Sequence, residues 1–292
     1  MNVTSLAATA LSLAAFCTAT SVAADATHDA PQDAPLRGDI DHVLVSLPSD
    51  HFAALDTYLS EHLAGSWFAL PQQGKGFIVT QEVLGYIEIW DAGRAVFNWP
   101  LGSQIALTTD DIERGRAVAE AHYETPGRSW AEVGAPELLT VCPGDMADPL
   151  GGTFFVSYGP TMMRPMNPKS MVTTLKEVVT IIPEVRMGNN AAYRAFGFTE
   201  EKTEDGAVFT DTTGTRARVI GRDFFKITLP GHALLHFELA TPVEERRVDS
   251  ILDGTMIAIH DGNTLTLALT PDGVALANEA EAILDAKSES KE

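Results

Sequence analysis

Cysteine is almost absent from this 292-residue chain, which carries only Cys17 and Cys142. Cys17 lies in an N-terminal apolar stretch. A chain processed beyond that stretch keeps Cys142 alone, with no partner for an internal disulfide, so packing must hold the fold together. Nothing in the surrounding TVCPGD supplies a base, and Cys142 reads as a small buried apolar residue rather than a nucleophile. Basic residues are also scarce. Against 40 Asp and Glu there are 20 Lys and Arg, giving a net charge of −20 and a pI near 4.6. A surface that acidic repels nucleic acid and anionic lipid, and both are excluded as partners. Motifs for several common chemistries are missing: there is no G-x-S-x-G, G-x-x-x-x-G-K-[ST], G-x-G-x-x-G or H-E-x-x-H.

The apolar run Leu6–Ala15 is too short to span a bilayer and matches the hydrophobic region of a signal peptide, although no Lys or Arg precedes it. Small residues in Ser21-Val22-Ala23-Ala24 place cleavage after Ala24. Residues 1–24 are therefore expected to be a signal peptide, and the mature protein periplasmic or secreted, with no membrane contact after cleavage. Residues 25–38 form a polar, proline-bearing lead expected to be flexible. The folded chain is divided into a pair of modules over 39–160, a linker over 161–170 around MMRPMNPK, a second domain over 171–285 and a charged tail over 286–292.

Hydrophobic periodicity predicts the elements. IDHVLVSLP alternates as a strand, with Val43, Val45 and Leu47 on one side and His42, Leu44 and Ser46 on the other. Ser49-Asp50 is placed to cap a helix running to Leu63, with Phe52, Leu55, Leu59 and Leu63 at helical spacing. Strands near 67–70 and 76–81 precede VLGYIEIWD, where Ile87 and Ile89 share one face and Tyr86, Glu88 and Trp90 the other. Lys75, set between glycines in QQGKGF, reads as a solvated lysine in a mobile loop. The pattern then restarts: a strand at QIALT, a helix over DIERGRAVAEAHYE, and strands at LLTV and TFFVSY, with one strand unplaced. It appears a third time from LKEVVTII, through a short helix in GNNAAYRAFGF and a hairpin around Thr213-Gly214, to HALLHFELA. Two strands around Asp261-Gly262 and a helix from about Gly273 complete it. The fold class expected is α+β, with repeated β-α-β-β-β modules forming cupped mixed sheets.

These residues resemble the vicinal oxygen chelate superfamily, which includes glyoxalase I, bleomycin-resistance proteins and extradiol dioxygenases. IDHVLVSLP resembles its first strand and places His42 at the family's histidine; YIEIWD resembles the fourth and places Glu88 at its glutamate. GSQIALTTDD resembles the fifth and puts Gln104 where a histidine often stands. DPLGGTFFV resembles the turn before the last strand, but the family's final glutamate, expected near Phe155 or Val156, is missing. The chain is also similar to an uncharacterised bacterial family with a YxEF-like fourth strand. The resemblance implies a divalent metal (Zn, Ni, Fe or Mn) held by His42, Glu88 and Gln104, each on the non-core side of its strand. Glu88 would move a proton, Tyr86 and Trp90 would wall the pocket and Thr108 would donate a hydrogen bond.

For the second half, the expected correspondence puts Glu177 at the place of His42, Glu238 at that of Glu88 and Met256 opposite Gln104. A methionine there predicts a structural half that holds no metal, with His236 sharing a strand face with Glu238. His232 and His260, beside turns, are expected at the surface. Two functions stay open: a metal-dependent enzyme acting on a small oxygen-chelating substrate (isomerase, lyase or dioxygenase type), and a non-catalytic protein that sequesters a small apolar or aromatic ligand. Either has a small molecule as partner, and a homodimer is left open.

Overall fold

The computed structural model describes residues 36–94, 102–109, 111, 114, 117, 128–131, 139–142, 153–157, 165–182, 191–221 and 231–279. The expected signal peptide, most of the lead, the DPLGG turn, most of the helix over 111–124 and the charged tail lie outside these residues. Among the described residues, no helix is long and apolar enough to cross a membrane.

The first half runs β1 (Gly38–Leu47), α1 (Ser49–His62), β2 (Trp67–Leu70), β3 (Lys75–Ile78), β4 (Tyr86–Asp91), β5 (Gly102–Thr109), β6 (Arg128–Ala131), β7 (Leu139–Cys142) and β8 (Thr153–Ser157). The second runs β9 (Val172–Ile182), α2 (Ala191–Ala195), β10 (Thr199–Thr203), β11 (Gly206–Thr210), β12 (Arg216–Gly221), β13 (Gly231–Leu239), β14 (Arg247–Ile251), β15 (Met256–Asp261) and β16 (Thr264–Ala268). Residues 271–279 are helical. Each half forms one eight-stranded sheet, in the orders β2-β3-β4-β1-β5-β8-β7-β6 and β10-β11-β12-β9-β13-β16-β15-β14. The orders match strand for strand, so β9 takes the place of β1, β12 that of β4 and β13 that of β5.

This topology corrects the correspondence expected for the second half. Six parallel pairs begin at His42↔Tyr86 in the first sheet and at Glu177↔Arg216 in the second, so Glu177 does stand at the place of His42. The counterpart of Glu88 is Arg218, because Leu44 pairs with Glu88 and Val179 with Arg218. Glu238 lies on β13, the counterpart of β5, and Met256 lies two strands further on in β15. The misalignment arises because β11 and β12 read as one hairpin in the sequence, leaving β13 to stand for the fourth strand.

Three strands escape the sequence reading: β6 (RSWA), β10 (TEEKT) and β14 (RVDSI). All three are edge strands. An edge strand has one neighbour and little to bury, so charged and polar residues replace the alternation that marks interior strands. The polar composition of β10 and β14 is of this kind.

Both sheets turn one face to a shared core. Val43, Val45, Leu47, Ile87, Ile89 and Ile105 of the first sheet join Val178, Phe209, Val219, Leu235, Phe237 and Leu267 of the second in a single cluster. Burying each such side chain is worth about 1.5–3 kcal/mol, so the two halves stabilise one another. Phe52, Leu55, Tyr58 and Leu59 of α1 belong to the same cluster. The expected Ser49 cap is not made: Pro48 is the N-cap residue, and the Ser49 hydroxyl donates to Asp91 Oδ1 at 2.6 Å. The end of the lead is already structured, with Leu36 buried and the Gly38 amide donating to the Phe196 carbonyl at 3.1 Å.

α1 also ties the halves together through a polar contact. The Tyr58 hydroxyl donates to Asp249 Oδ2 at 2.6 Å and lies 2.9 Å from His260 Nε2. His260 is therefore buried rather than at the surface, and burial together with the Arg247 charge lowers its pKa.

Candidate ligand site on the first sheet

On β1 the residues turned away from the shared core are His42, Leu44 and Ser46. Cross-strand register extends that far face over the neighbouring strands. One row runs Lys75, Trp90, Ser46 and Gly102; the next runs Phe68, Phe77, Glu88, Leu44 and Gln104. A third pairs Tyr86 with His42, His42 with Ala106 and Ala106 with Phe154. Paired residues on neighbouring strands share a face, so Lys75, Trp90 and Ser46 lie side by side, as do Phe77, Glu88 and Leu44, and Tyr86 and His42.

Glu88 is not exposed strand decoration. Its side chain is 14% exposed, and Oε1 accepts a hydrogen bond from Lys75 Nζ at 3.3 Å. The same ammonium lies 4.7 Å from the centre of the Trp90 ring and 5.2 Å from that of Phe77, within the range of cation–π attraction. The expectation for Lys75 is thereby corrected: it opens β3, and its side chain is 15% exposed. The flanking glycines have other reasons. Gly74 ends a short helical turn at φ +63°, a left-handed conformation that glycine adopts without strain. At Gly76 a Cβ would collide with the Trp67 indole, so the glycine lets that ring lie on the strand.

His42 was expected to share a metal ion with Glu88. It instead stacks on Tyr86, with ring centroids 4.6 Å apart and an interplanar angle of 16°, and its Nδ1 lies 3.3 Å from Asp41 Oδ2. His42, Tyr86 and Trp90 are all buried. Thr108 sits at the far end of β5, where its hydroxyl faces the Asp39 backbone at 3.4–3.5 Å. The side chain of Gln104 lies outside the described residues; its backbone pairs with Leu44, two strands from Glu88. Ser46, also buried, is not singled out by the sequence reading, yet its Oγ has no hydrogen-bond partner. Alternation in β1 and in KGFI could have found Ser46, Lys75 and Phe77.

Of the three expected metal ligands, the structure describes the side chains of His42 and Glu88. The positive charge facing Glu88 is the Lys75 ammonium, and the imidazole is engaged by Asp41 and Tyr86. Among the described residues, no group of three or more His, Cys, Asp and Glu side chains could hold a metal.

No family model matches the sequence, and no curated protein matches it. Similar solved structures exist. A variant of homoprotocatechuate 2,3-dioxygenase from B. fuscum is 15% identical, with a TM-score of 0.42, over 64% of this chain and 54% of that one. A hypothetical protein from Staphylococcus aureus is 11% identical, with a TM-score of 0.45, over 74% of this chain and 96% of that one. 2,2',3-Trihydroxybiphenyl 1,2-dioxygenase from Sphingomonas wittichii strain RW1 is 8% identical, with a TM-score of 0.43, over 79% and 89%. The chain spans 33% of the length of a xylose isomerase-like TIM barrel/4-hydroxyphenylpyruvate dioxygenase fusion protein that it also resembles. These likenesses concern the fold and assign no reaction. The two eight-stranded mixed sheets have the repeated-module architecture expected from the sequence. The first sheet's far face is furnished with aromatic rings and a Lys–Glu pair.

Proposed function

We propose that the far face of the first sheet binds a small aromatic or apolar molecule carrying at least one hydrogen-bonding oxygen, and that the protein serves to bind or sequester that molecule. The observation that carries this reading is the Lys75–Glu88 pair lying over Trp90. A carboxylate held by an ammonium is a polar recognition element, and the aromatic side chains around it offer flat apolar surface. Ser46, in the same row as Lys75 and Trp90, supplies a buried hydroxyl with hydrogen-bonding capacity to spare. Gly102, across from Ser46, adds no side chain to that end of the row.

Catechol is a suitable probe, because it combines a ring with two adjacent oxygens. Its binding is expected to quench tryptophan fluorescence saturably, and Lys75→Met and Ser46→Ala are each expected to weaken it about tenfold, the usual scale for losing a hydrogen bond to a buried or charged group. Metal analysis of protein purified without an affinity tag decides against the rival. About one tightly bound divalent ion per chain, lost in His42→Ala and in Glu88→Ala, would sink the binding reading and favour a metal-dependent enzyme of isomerase, lyase or dioxygenase type. That rival draws support from His42 and Glu88 sharing one face of adjacent strands.

Export is part of the same proposal. The run Leu6–Ala15 and the small residues before Asp25 support a cleaved signal peptide and a periplasmic or secreted location. Mass spectrometry of the native protein is expected to find Asp25 at the N-terminus; an intact Met1 on protein from the cytoplasm would overturn it.

A further inference from the structure

The far face of the second sheet carries a polar cluster that the proposed function leaves unused. Register aligns Arg216 of β12, Glu177 of β9, His236 of β13 and Thr266 of β16 in one row across four adjacent strands. Arg218 lies two residues along β12 from Arg216, on the same face. The contacts follow the row. Arg216 Nε lies 3.0 Å from Glu177 Oε2, and His236 Nδ1 lies 2.8 Å from Thr266 Oγ1. Arg218 Nη2 donates to Asp205 Oδ2 at 2.8 Å, but its Nε is buried with no hydrogen-bond acceptor. Beyond the row the face becomes apolar: Val179, Ile181, Ile220, Leu234, Ile257 and Ile259 pack with Leu276 of the helical residues 271–279.

We infer that this row is a binding site for a small organic monocarboxylate, seated against Arg218 and His236 beside Glu177. Three features select that chemistry. Guanidinium forks match the planar carboxylate geometry, and Arg216 already holds one carboxylate in the row, that of Glu177. Arg218 Nε has a donor to give, and the Thr266 hydroxyl can satisfy His236 Nδ1, leaving Nε2 as a second donor beside it. Burial and the charges of Arg218 and Arg216 push the His236 pKa down to about 4, so the ring is neutral at physiological pH and adds a hydrogen bond without a charge. A multiply charged phosphate is disfavoured, because Glu177 and Asp205 already answer the two arginines. Glu177 is the internal competitor: it occupies Arg216, and burial raises its pKa.

Isothermal titration of the whole protein with sodium benzoate, and separately with inorganic phosphate, tests the inference. Benzoate is expected to bind saturably. Arg218→Leu should weaken it about tenfold or more, the range expected for losing a hydrogen bond to a charged group. Glu177→Gln should tighten it severalfold by removing the competing charge. Should Arg218→Leu fail to fold by circular dichroism, Arg218→Lys keeps a charge without the fork and should still weaken binding. The inference is overturned if benzoate shows no saturable binding, if phosphate binds more tightly, or if the Arg218 variants bind as the parent does. It is also overturned if Lys75→Met, and not Arg218→Leu, abolishes the signal, since benzoate would then sit on the first sheet.

Discussion

The two sheets have one strand order and differently furnished far faces. Where the first has Tyr86 opposite His42, the second has Arg216 opposite Glu177; where the first has Glu88 opposite Leu44, the second has Arg218 opposite Val179. The first is thus an aromatic face with a single Lys–Glu pair at its polar centre. The second is a row of arginine, glutamate, histidine and threonine beside an apolar cluster. Their opposite faces are alike in kind, being mostly valine, isoleucine and leucine, with phenylalanine, alanine and methionine added in the second sheet. The lesson is that a duplicated sheet keeps its core face because both copies must pack into one core, while the far faces are free to diverge in chemistry.

If the shared core is what binds the halves together, a cavity in one should be felt in the other. All four tryptophans, at positions 67, 90, 99 and 130, lie in the first half. Phe237 of the second sheet is fully buried in the common cluster. Phe237→Ala is expected to cost about 3–5 kcal/mol. That loss should appear as a lower denaturant midpoint reported by tryptophan fluorescence, in one transition. An unchanged tryptophan transition would show two independent halves.

The next effect is peculiar to the second face. His236 has a folded pKa of about 4 against an ordinary 6.5, so protons bind more readily to the unfolded chain. Its contribution is complete above pH 6.5 and is lost as pH falls from there toward 4. That loss amounts to about 3 kcal/mol if the whole shift is expressed. Urea midpoints measured between about pH 7 and 4 should fall, and His236→Gln should flatten the fall. A curve as steep in the variant would place the acid-labile group elsewhere. The lowered pKa of His260 acts in the same direction.

The smallest effect concerns the strap between halves. Tyr58→Phe removes the hydroxyl that donates to Asp249 at 2.6 Å. Asp249 keeps Arg247 at 2.8 Å, so the loss should be about 1 kcal/mol by denaturant titration. A loss of several kcal/mol would mean that the strap, rather than the shared apolar core, couples the two regions.

Much of the first site is legible without coordinates. Alternation in YIEIWD puts Glu88 with Tyr86 and Trp90, and the structure keeps all three on one face. The partner of Glu88 is not legible. His42 suggests itself because it alternates onto the non-core face of the first strand, whereas Lys75, set between glycines, reads as a loop residue. Those glycines serve a turn and an indole contact, which a string of letters does not distinguish from a mobile loop. In the second half, Glu177 and His236 each stand out separately, but their pairing depends on which strand neighbours which.

Features that depend on neighbours along the chain can be read before any folding is known. Periodicity marks the interior strands and α1, and the residues facing each way on β1 and β4 follow from a period of two. The excess of carboxylates and the scarcity of cysteine need no folding to be read. Tertiary structure decided what depends on contacts between distant segments: the edge strands β6, β10 and β14, the seating of β13 in the place of β5, and the pairing of Lys75 with Glu88. It also decided the burial of His260 under Tyr58. The physical reason is the same in each case. An edge strand, an ion pair or a buried histidine is stabilised by groups brought up from elsewhere in the chain, and no local pattern records which groups those will be.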